Sequence, residues 1–569
     1  MSNLLKHAFA FQTNPTLEQY RDSWRQSLQQ AKSRLADLER PRTGEQLCNY
    51  LRELDTFHLG SSFDTDAAIW ADLHPDQSFR DEAKIASDAA TDLDSKALAS
   101  SALAANLSSF EKAKFALDKD SLKFLKVWKK DLVRGGAYLE LEAKSKLLRL
   151  NREIEDCKQM FHDNIRNDRR TLQLDAKDLP GVPDDYLAAR SVDSSTNKIS
   201  VAAKEADIGP IRGYCQLQAT REKAARLTLT TASPINEQVL KRLLILRNER
   251  AKLLAHSNAA EYELLDSMAG NVDQVTKFLD DIHNMIAPIA EGEKEAISLL
   301  LRDEDGIDFK PWDITYGINR LKSHLLSGFN PKEARQYFQV DKVFPALLQI
   351  AQTLFSLRFE PIEDTEVWHP SVTAAFVYDI ADGSNTLIGR IFFDIYPREG
   401  KLDGAAAYRA RRPVKGEQLG EVILYANMPA QAGACMSYRE VQTILHELGH
   451  CAHMLVSAQS YHRFSGIDFV PMDFIEAPSQ MLELWLTDPG LCDFAVNAQG
   501  ARIPDTLLQQ LIASDAIGRC ITIRSRLAAA KYCVSTGWRA MPGCNGPLTA
   551  SLHSAGASRL RSAHNHRDY

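Results

Sequence analysis

Cysteine is scarce in this chain. There are nine in 569 residues, an odd number, with no CxxC pair. That excludes a disulfide-built scaffold and points to free thiols in a reducing compartment. Long apolar runs are missing too: none approaches the roughly 18 residues of a membrane-spanning helix, so no membrane partner is expected. Positive charge is not in excess. The net charge of −7 offers no basic field to nucleic acid. Internal repeats and low-complexity tracts are also absent. What remains is an ordinary soluble composition, 44% hydrophobic and 25% charged, with a mean hydropathy of −0.30. At 569 residues the chain is too long for one core, so two or more domains or one large multi-lobed body are expected.

Most of the chain has the period of α-helices. Residues 17–39 mix strong helix formers with spaced apolar positions. Ala143, Leu147, Leu150, Ile154, Cys157, Phe161 and Ile165 recur at intervals of three and four, one buried stripe on a long helix. Segments 236–256, 273–287 and 341–357 follow the same rule. Residues 190–235 differ: they are polar, tolerant of strand and punctuated by Gly and Pro, which suits a small sheet or a long excursion. Thr373–Ile380 and Thr386–Tyr396 are strand-like runs joined by a polar turn with Asp382–Gly383, a hairpin signal. Glu421–Asn427 is a third strand candidate.

The last fifty residues break the style. From Arg519 to Tyr569 there are eight basic residues and one acid, Asp568, a balance of +7. From about residue 533 no helical period continues. The stretch has one Trp (Trp538) and no interleaved aromatics, so it does not argue for nucleic acid. At the other end, residues 1–17 carry Lys6 and no acid, a faint mitochondrial-presequence character, but no Arg, and Glu18 and Asp22 follow at once. A cytoplasmic location is expected, with a mitochondrial one as the alternative.

The chemistry is concentrated in Ser437–Ser457. Ser437 and Glu440 form an S-x-x-E capping box, so a helix should start there. Ile444, Leu448, Cys451 and Leu455 then make one apolar face. His446 and His450 lie one turn apart on another face with Glu447 between them, the HExxH pattern. Two imidazoles at i and i+4 can converge on one Zn²⁺, and the intervening Glu can take a proton from an attacking water. Gly449 costs about 1 kcal/mol against Ala in a helix interior, which suggests that a substrate or another backbone comes close to it. A catalytic zinc needs a third protein ligand. Spacing leaves two readings of Glu476: it could be that ligand, or the N3 partner of an Asp473 helix cap. His453, one turn beyond His450, is the rival ligand, although three His on one helix would be strained around a tetrahedral ion.

With these residues in place, the chain resembles a known family. HELGHCAH, FSG (Phe464–Gly466) and DFIEAPSQ (Asp473–Gln480) are similar to the thimet oligopeptidase, oligopeptidase A and neurolysin family of HExxH zinc metallopeptidases. FFDIYPREGK (Phe392–Lys401), ANMP (Ala426–Pro429) and SYREVQT (Ser437–Thr443) resemble the same family in the same order. The resemblance runs from about residue 10 to about 530.

It implies a mainly α fold: an elongated, two-lobed helical body with a deep central channel and a small β-sheet beside the zinc helix. It implies one Zn²⁺ held by His446, His450 and Glu476, with Glu447 catalytic, and short peptides as substrates. His453, Asp473, Asn427 and Gly466 become candidates for supporting the ligands or touching substrate, and an edge strand of the sheet for holding substrate backbone. The domain expectation is 1–190 helical, 191–235 irregular or small sheet, 236–360 helical channel wall, 361–518 catalytic and 519–569 a separate basic tail. A monomer is expected. Arg398, Glu399, Lys401 and Asp403 are expected as a surface ion cluster, with Arg398 as a bridge between lobes the sharper alternative.

The family also carries an H-x-x-G-G-Y loop and a tyrosine cluster downstream of the third ligand. Here His553 has the spacing of the first element but no following Tyr until Tyr569. The tail is therefore expected to be truncated or frameshifted relative to the family, with turnover impaired. The alternatives are a mitochondrial intermediate-peptidase-like processing enzyme and a non-catalytic peptide-binding form.

Overall fold

The structure, a computed structural model, describes residues 9–536 except 44–45, 47–48, 61, 114, 189, 191–197, 327–328, 364, 402–403, 431–432 and 489–492. It is mainly helical with one small sheet and a separate two-stranded ribbon. The chain divides into two compact units. One comprises Met1–Ser145 and Pro331–Leu508, the other Lys146–Asn330 and Gln509–Tyr569. Among the described residues no helix is long and apolar enough to cross a membrane, and Cys157, Cys215, Cys435, Cys451, Cys520 and Cys533 are free thiols.

In the first unit, Thr16 and Gln19 close a capping box on the Leu17–Leu38 helix, which buries Tyr20, Trp24, Ala31, Leu35 and Leu38 at helical spacing. It packs with Tyr50–Gly60, Gln77–Leu98, Ser101–Lys112 and Lys119–Gly135 around Leu54, Phe57, Phe124 and Trp128. In the second unit, the Leu141–Arg166 helix sets Leu150, Ile154 and Phe161 against Val239, Leu243 and Leu246 of the Ile235–Leu253 helix.

Two stretches depart from the sequence reading. The Val272–Asp305 helix does not stop at 287 but runs 34 residues through Pro288. Burial of Ala290, Ile297, Leu300 and Leu301 beyond the proline outweighs the one backbone hydrogen bond that it removes. In the 190–235 region the ribbon pairs β1 (Thr171–Asp175) with β2 (Lys198–Ala202), antiparallel, Leu174 opposite Ile199. Beyond β2 the chain is helical over Glu205–Tyr214 and Gln218–Leu229. Gly209, Pro210 and Gly213 mask that period, yet Ile208, Ile211 and Cys215 fall at three and four and bury against the ribbon.

Residues Arg519–Thr536 also form a helix. Its Leu527 packs on Leu279 and Ile286, and Lys531 and Arg524 pair with Asp280 and Glu291 of the Val272–Asp305 helix. Basic residues that looked like a tail are therefore partners of an acidic helix. Residues 537–569, His553 included, lie outside the described residues.

The five-stranded sheet contains β3 (Leu357–Pro361), β4 (Thr373–Asp379), β5 (Thr386–Asp394), β6 (Ala406–Arg411) and β7 (Gly420–Tyr425), in the order β3-β4-β5-β7-β6. The β4–β5 hairpin forms where the turn signal placed it, Gly383 taking φ +76°. β5 and β7 are parallel and the other pairs antiparallel, so β6 is an edge. Of the expected surface ion cluster, Glu399 is exposed, but Arg398 and Lys401 prove to be interior. Arg398 and Lys401 are buried on Asp394 at the end of β5, while Asp403 lies outside the described residues. Asp394 accepts from Trp368 Nε1 at 2.8 Å, from Arg398 at 2.6 and 2.8 Å and from Lys401 Nζ at 2.9 Å. The cause is the position of Asp394: a carboxylate on an interior strand must be paired to stay charged.

Replacing Asp394 with Ala leaves two buried cations without their carboxylate. The expected loss is about 3–5 kcal/mol of unfolding free energy, read from denaturant midpoints. A loss below about 1 kcal/mol would show that water reaches the cluster.

Candidate metal centre

Ser437 caps the central helix, Tyr438–Val456. Its Oγ accepts from Glu440 N at 3.2 Å and its N–H donates to Glu440 Oε2 at 2.6 Å. The apolar face is the expected one, Ile444, Leu448, Cys451 and Leu455, all buried. It lies on the sheet where two strands lack side chains. A Cβ at Gly389 would stand 2.8 Å from Leu455 Cδ2 and 2.2 Å from Gly420 O, and one at Gly420 would stand 2.9 Å from the same Leu455 carbon. Glycine at both positions lets the helix sit close to β5 and β7.

On the opposite face three donor atoms converge. His446 Nε2 and His450 Nε2 each lie 3.1 Å from Glu476 Oε2, and the ligand atoms of the three residues all fall within 4.8 Å of one another. Bonds of about 2.0–2.2 Å hold the ligands of a tetrahedral ion roughly 3.3 Å apart. Two imidazoles and one carboxylate, both imidazole–carboxylate distances close to that spacing, are a donor set that suits Zn²⁺. The capping-pair reading of Asp473 and Glu476 fails because the next helix starts later. It spans Ala477–Leu484, and Glu476 is the residue before it, with φ −84°, ψ −9° and no side-chain cap. Hydrogen bonds from both histidines hold the Glu476 carboxyl far below the usual range.

Gly449 explains how Glu476 gets there. A Cβ on Gly449 would lie 2.8 Å from Ser479 Cα and 3.4 Å from Pro478 O. The close approach expected at this glycine is that of another backbone, the helix that follows the third ligand.

Glu447 is buried, 9% exposed. Burial pushes its carboxyl up, opposed by His446 and His450 and by the Ala407 backbone of β6. It is thus held beside the three donors without being one of them.

Sequence reasoning missed Glu483. Its Oε1 lies 2.6 Å from His446 Nδ1, which fixes the ring and leaves Nε2 for a metal. Burial opposes a charge on His446, but Glu476 and Glu483 together push its pKa up to about 10. The available signal was the spacing of Glu476 and Glu483, seven residues apart, the first just before the helix and the second two turns on.

The remaining candidates are dispersed. His453 is half-buried and outside the converging group, its Nδ1 without a hydrogen-bond partner among the described residues. Asp473 is exposed before the Ala477–Leu484 helix. Asn427, just past β7, donates to Gly404 O at 2.9 Å. Gly466, φ +78°, donates to Ser457 Oγ at 2.9 Å and holds the turn after the central helix.

Gly449→Ala is expected to push the Ala477–Leu484 helix outward and lower zinc affinity by about tenfold or more. Glu483→Ala should cost about 10–100-fold by freeing the His446 ring. Competition against a chromogenic chelator measures both, and unchanged affinities would mean that neither contact sets the ligand geometry.

Comparison with known proteins agrees with the motifs. Peptidase family M3 matches residues 212–531. Saccharolysin of Saccharomyces cerevisiae is 28% identical over 437 residues, 72% of this chain and 61% of the relative. Oligopeptidase A of Escherichia coli is 31% identical over 365 residues, 60% of this chain and 53% of the relative. A probable thimet oligopeptidase of Arabidopsis thaliana is 27% identical, covering 64% of this chain and 51% of the relative. The chain spans roughly half to three fifths of the length of these relatives. With a match across more than half of its residues and a converging His-His-Glu group inside the matched region, the chain belongs to peptidase family M3.

Proposed function

We propose that this chain is a zinc-dependent metalloendopeptidase acting on short oligopeptides. The observation that carries the reading is the convergence of His446, His450 and Glu476 with Glu447 buried beside them. Those three residues would hold one ion, which supplies Lewis-acid polarisation of a carbonyl. Glu447 would take the proton of the attacking water and pass it to the leaving nitrogen. Its raised pKa suits it to accept a proton and then release it. Glu483 would keep the His446 ring in its ligand orientation. Selection for short, unstructured peptides rests on the narrow channel that the family resemblance implies.

We take the protein to act as a monomer in a reducing compartment, the cytoplasm in the first instance.

An internally quenched peptide tests the reading. Cleavage by the full chain should stop on zinc chelation, return with added zinc, and fall by at least about 10² in Glu447→Gln. Cleavage that survives both chelation and the substitution would overturn the assignment. Zinc loading with tight peptide binding and no cleavage would favour a binding form.

A further inference from the structure

Edge strand β6 carries a second cluster two residues beyond the one that touches Glu447. The Ala407 backbone lies beside Glu447 and lowers its pKa, and by strand alternation the side chains of Ala407 and Arg409 point to one face of the sheet, roughly 7 Å apart. At Arg409 the strand bulges: Arg409 pairs with Val422 and Arg411 with Glu421, leaving Ala410 extra. A bulge re-aims the side chains that follow it. Here it sets Arg409 and Arg412 on one carboxylate, Asp468, which lies in the chain between the central helix and Glu476. Arg412 Nε is 3.2 Å from Asp468 Oδ2, the same oxygen that Arg409 meets. The two guanidinium side chains are 16% and 18% exposed and Asp468 is 38% exposed.

The pairing is unequal. Two mostly buried cations share one oxygen of a half-exposed acid. The other polar contacts of the two guanidiniums are weak: Thr65 Oγ1 at 3.4 Å from Arg409 and His462 Nδ1 at 3.3 Å from Arg412. Other acids nearby are Asp55, Asp64, Asp66, Asp94 and Asp131, and Asp94 acts on Arg412 and Arg463 through its charge alone. Asp66 pairs with Arg411, Asp131 with Arg463, and Asp55 accepts the His462 and Arg463 N–H groups. Asp64 faces Arg409 without a hydrogen bond among the described residues. Burial is the largest cause lowering both, Arg409 to about 9 and Arg412 to about 10, with repulsion from Arg412 and Arg411 added at Arg409 and from Arg463 at Arg412.

We infer that Arg409 and Arg412 form a carboxylate-binding subsite at the end of edge strand β6, which Asp468 fills until a peptide carboxylate displaces it. The inference rests on the proposed peptide-hydrolase reading. A peptide lying along β6 with its scissile bond over Glu447 would bring a residue about two positions away to Arg409. The fork geometry of two guanidiniums suits a carboxylate better than an amide. The carboxylate has two possible sources, an acidic side chain or the peptide's C-terminus.

Binding of labelled peptides to the zinc-loaded Glu447→Gln chain, followed by fluorescence anisotropy, tests this. One series moves a Glu/Gln exchange along a fixed sequence, and a second compares C-terminal acid with amide. About a tenfold preference for carboxylate is expected, at one position in the first series for a side chain or in the second for a terminus. Asp468→Asn should tighten acidic peptides selectively, a gain that misfolding cannot produce. Arg412→Gln should abolish the preference and leave binding of the neutral peptide in place. Equal binding of acidic and neutral peptides at every position overturns the subsite while the hydrolase reading stands. If no peptide is bound or cleaved, both fall.

Discussion

The convergence of His446, His450 and Glu476 depends on one backbone contact, the passage of Ser479 over Gly449. Two histidines on a helix supply only half of a site; the rest must come from elsewhere in the chain and arrive within tenths of an ångström. Here a single short helix brings both missing groups. Glu476 precedes its first turn and meets His446 Nε2 and His450 Nε2, while Glu483, two turns on, meets the far nitrogen of His446. One close approach thus sets a ligand and the residue that orients another ligand. Any side chain at 449 would separate them together, which is why a residue that weakens the helix is found there.

The same logic continues beneath. Gly389 and Gly420 let the central helix bear on the parallel pair β5–β7 through Leu455. That floor is in turn fixed by charges held inside it. Asp394 is clamped at the end of β5. Glu421, buried on β7, accepts the N–H groups of Ala10 and Phe11 at 2.9 Å each and receives Arg390 at 2.6 Å. Arg411 holds Ala10 O and Asp66. Residues some four hundred positions upstream of the HExxH helix therefore lock the strands on which it rests. Buried charge of this kind is a poor source of net stability but a strict guide to register, because every misaligned pairing leaves an ion unsatisfied.

Much of this was legible in the sequence because it is local. The Ser437–Glu440 cap, the apolar face from Ile444 to Leu455, and His446 and His450 one turn apart follow from helical geometry within twenty residues. The β4–β5 hairpin follows from its turn. Glu476 was not legible from spacing alone, since a cap at Asp473 explained the same residues; only the family motifs broke the tie. Glu483 was missed because its partner lies 37 residues away, and its seven-residue spacing from Glu476 was the one signal the sequence offered. Arg398 and Lys401 were misplaced on the surface because composition says nothing of the interior strand end that collects them. The 205–214 helix and the extension past Pro288 were hidden by Gly and Pro, whose local cost was overridden by burial against their packing partners.

Strand β6 joins the chemistry to recognition. Its Ala407 backbone lies beside a carboxylate that burial drives toward the neutral form. A shift of the strand would change both the position and the proton affinity of Glu447. Two residues later the bulge breaks the regular ladder, so Arg409 and Arg412 can follow the 465–475 segment without pulling Ala407 out of register. That segment holds Asp468 at one end and delivers Glu476 at the other. On the proposed hydrolase reading the arginine pair therefore adjoins two elements of the site, the strand that carries Ala407 beside Glu447 and the segment that ends at Glu476. The bulge places the pair outside the regular ladder of β6, and the close passage of Ser479 over Gly449 fixes the far end of the segment.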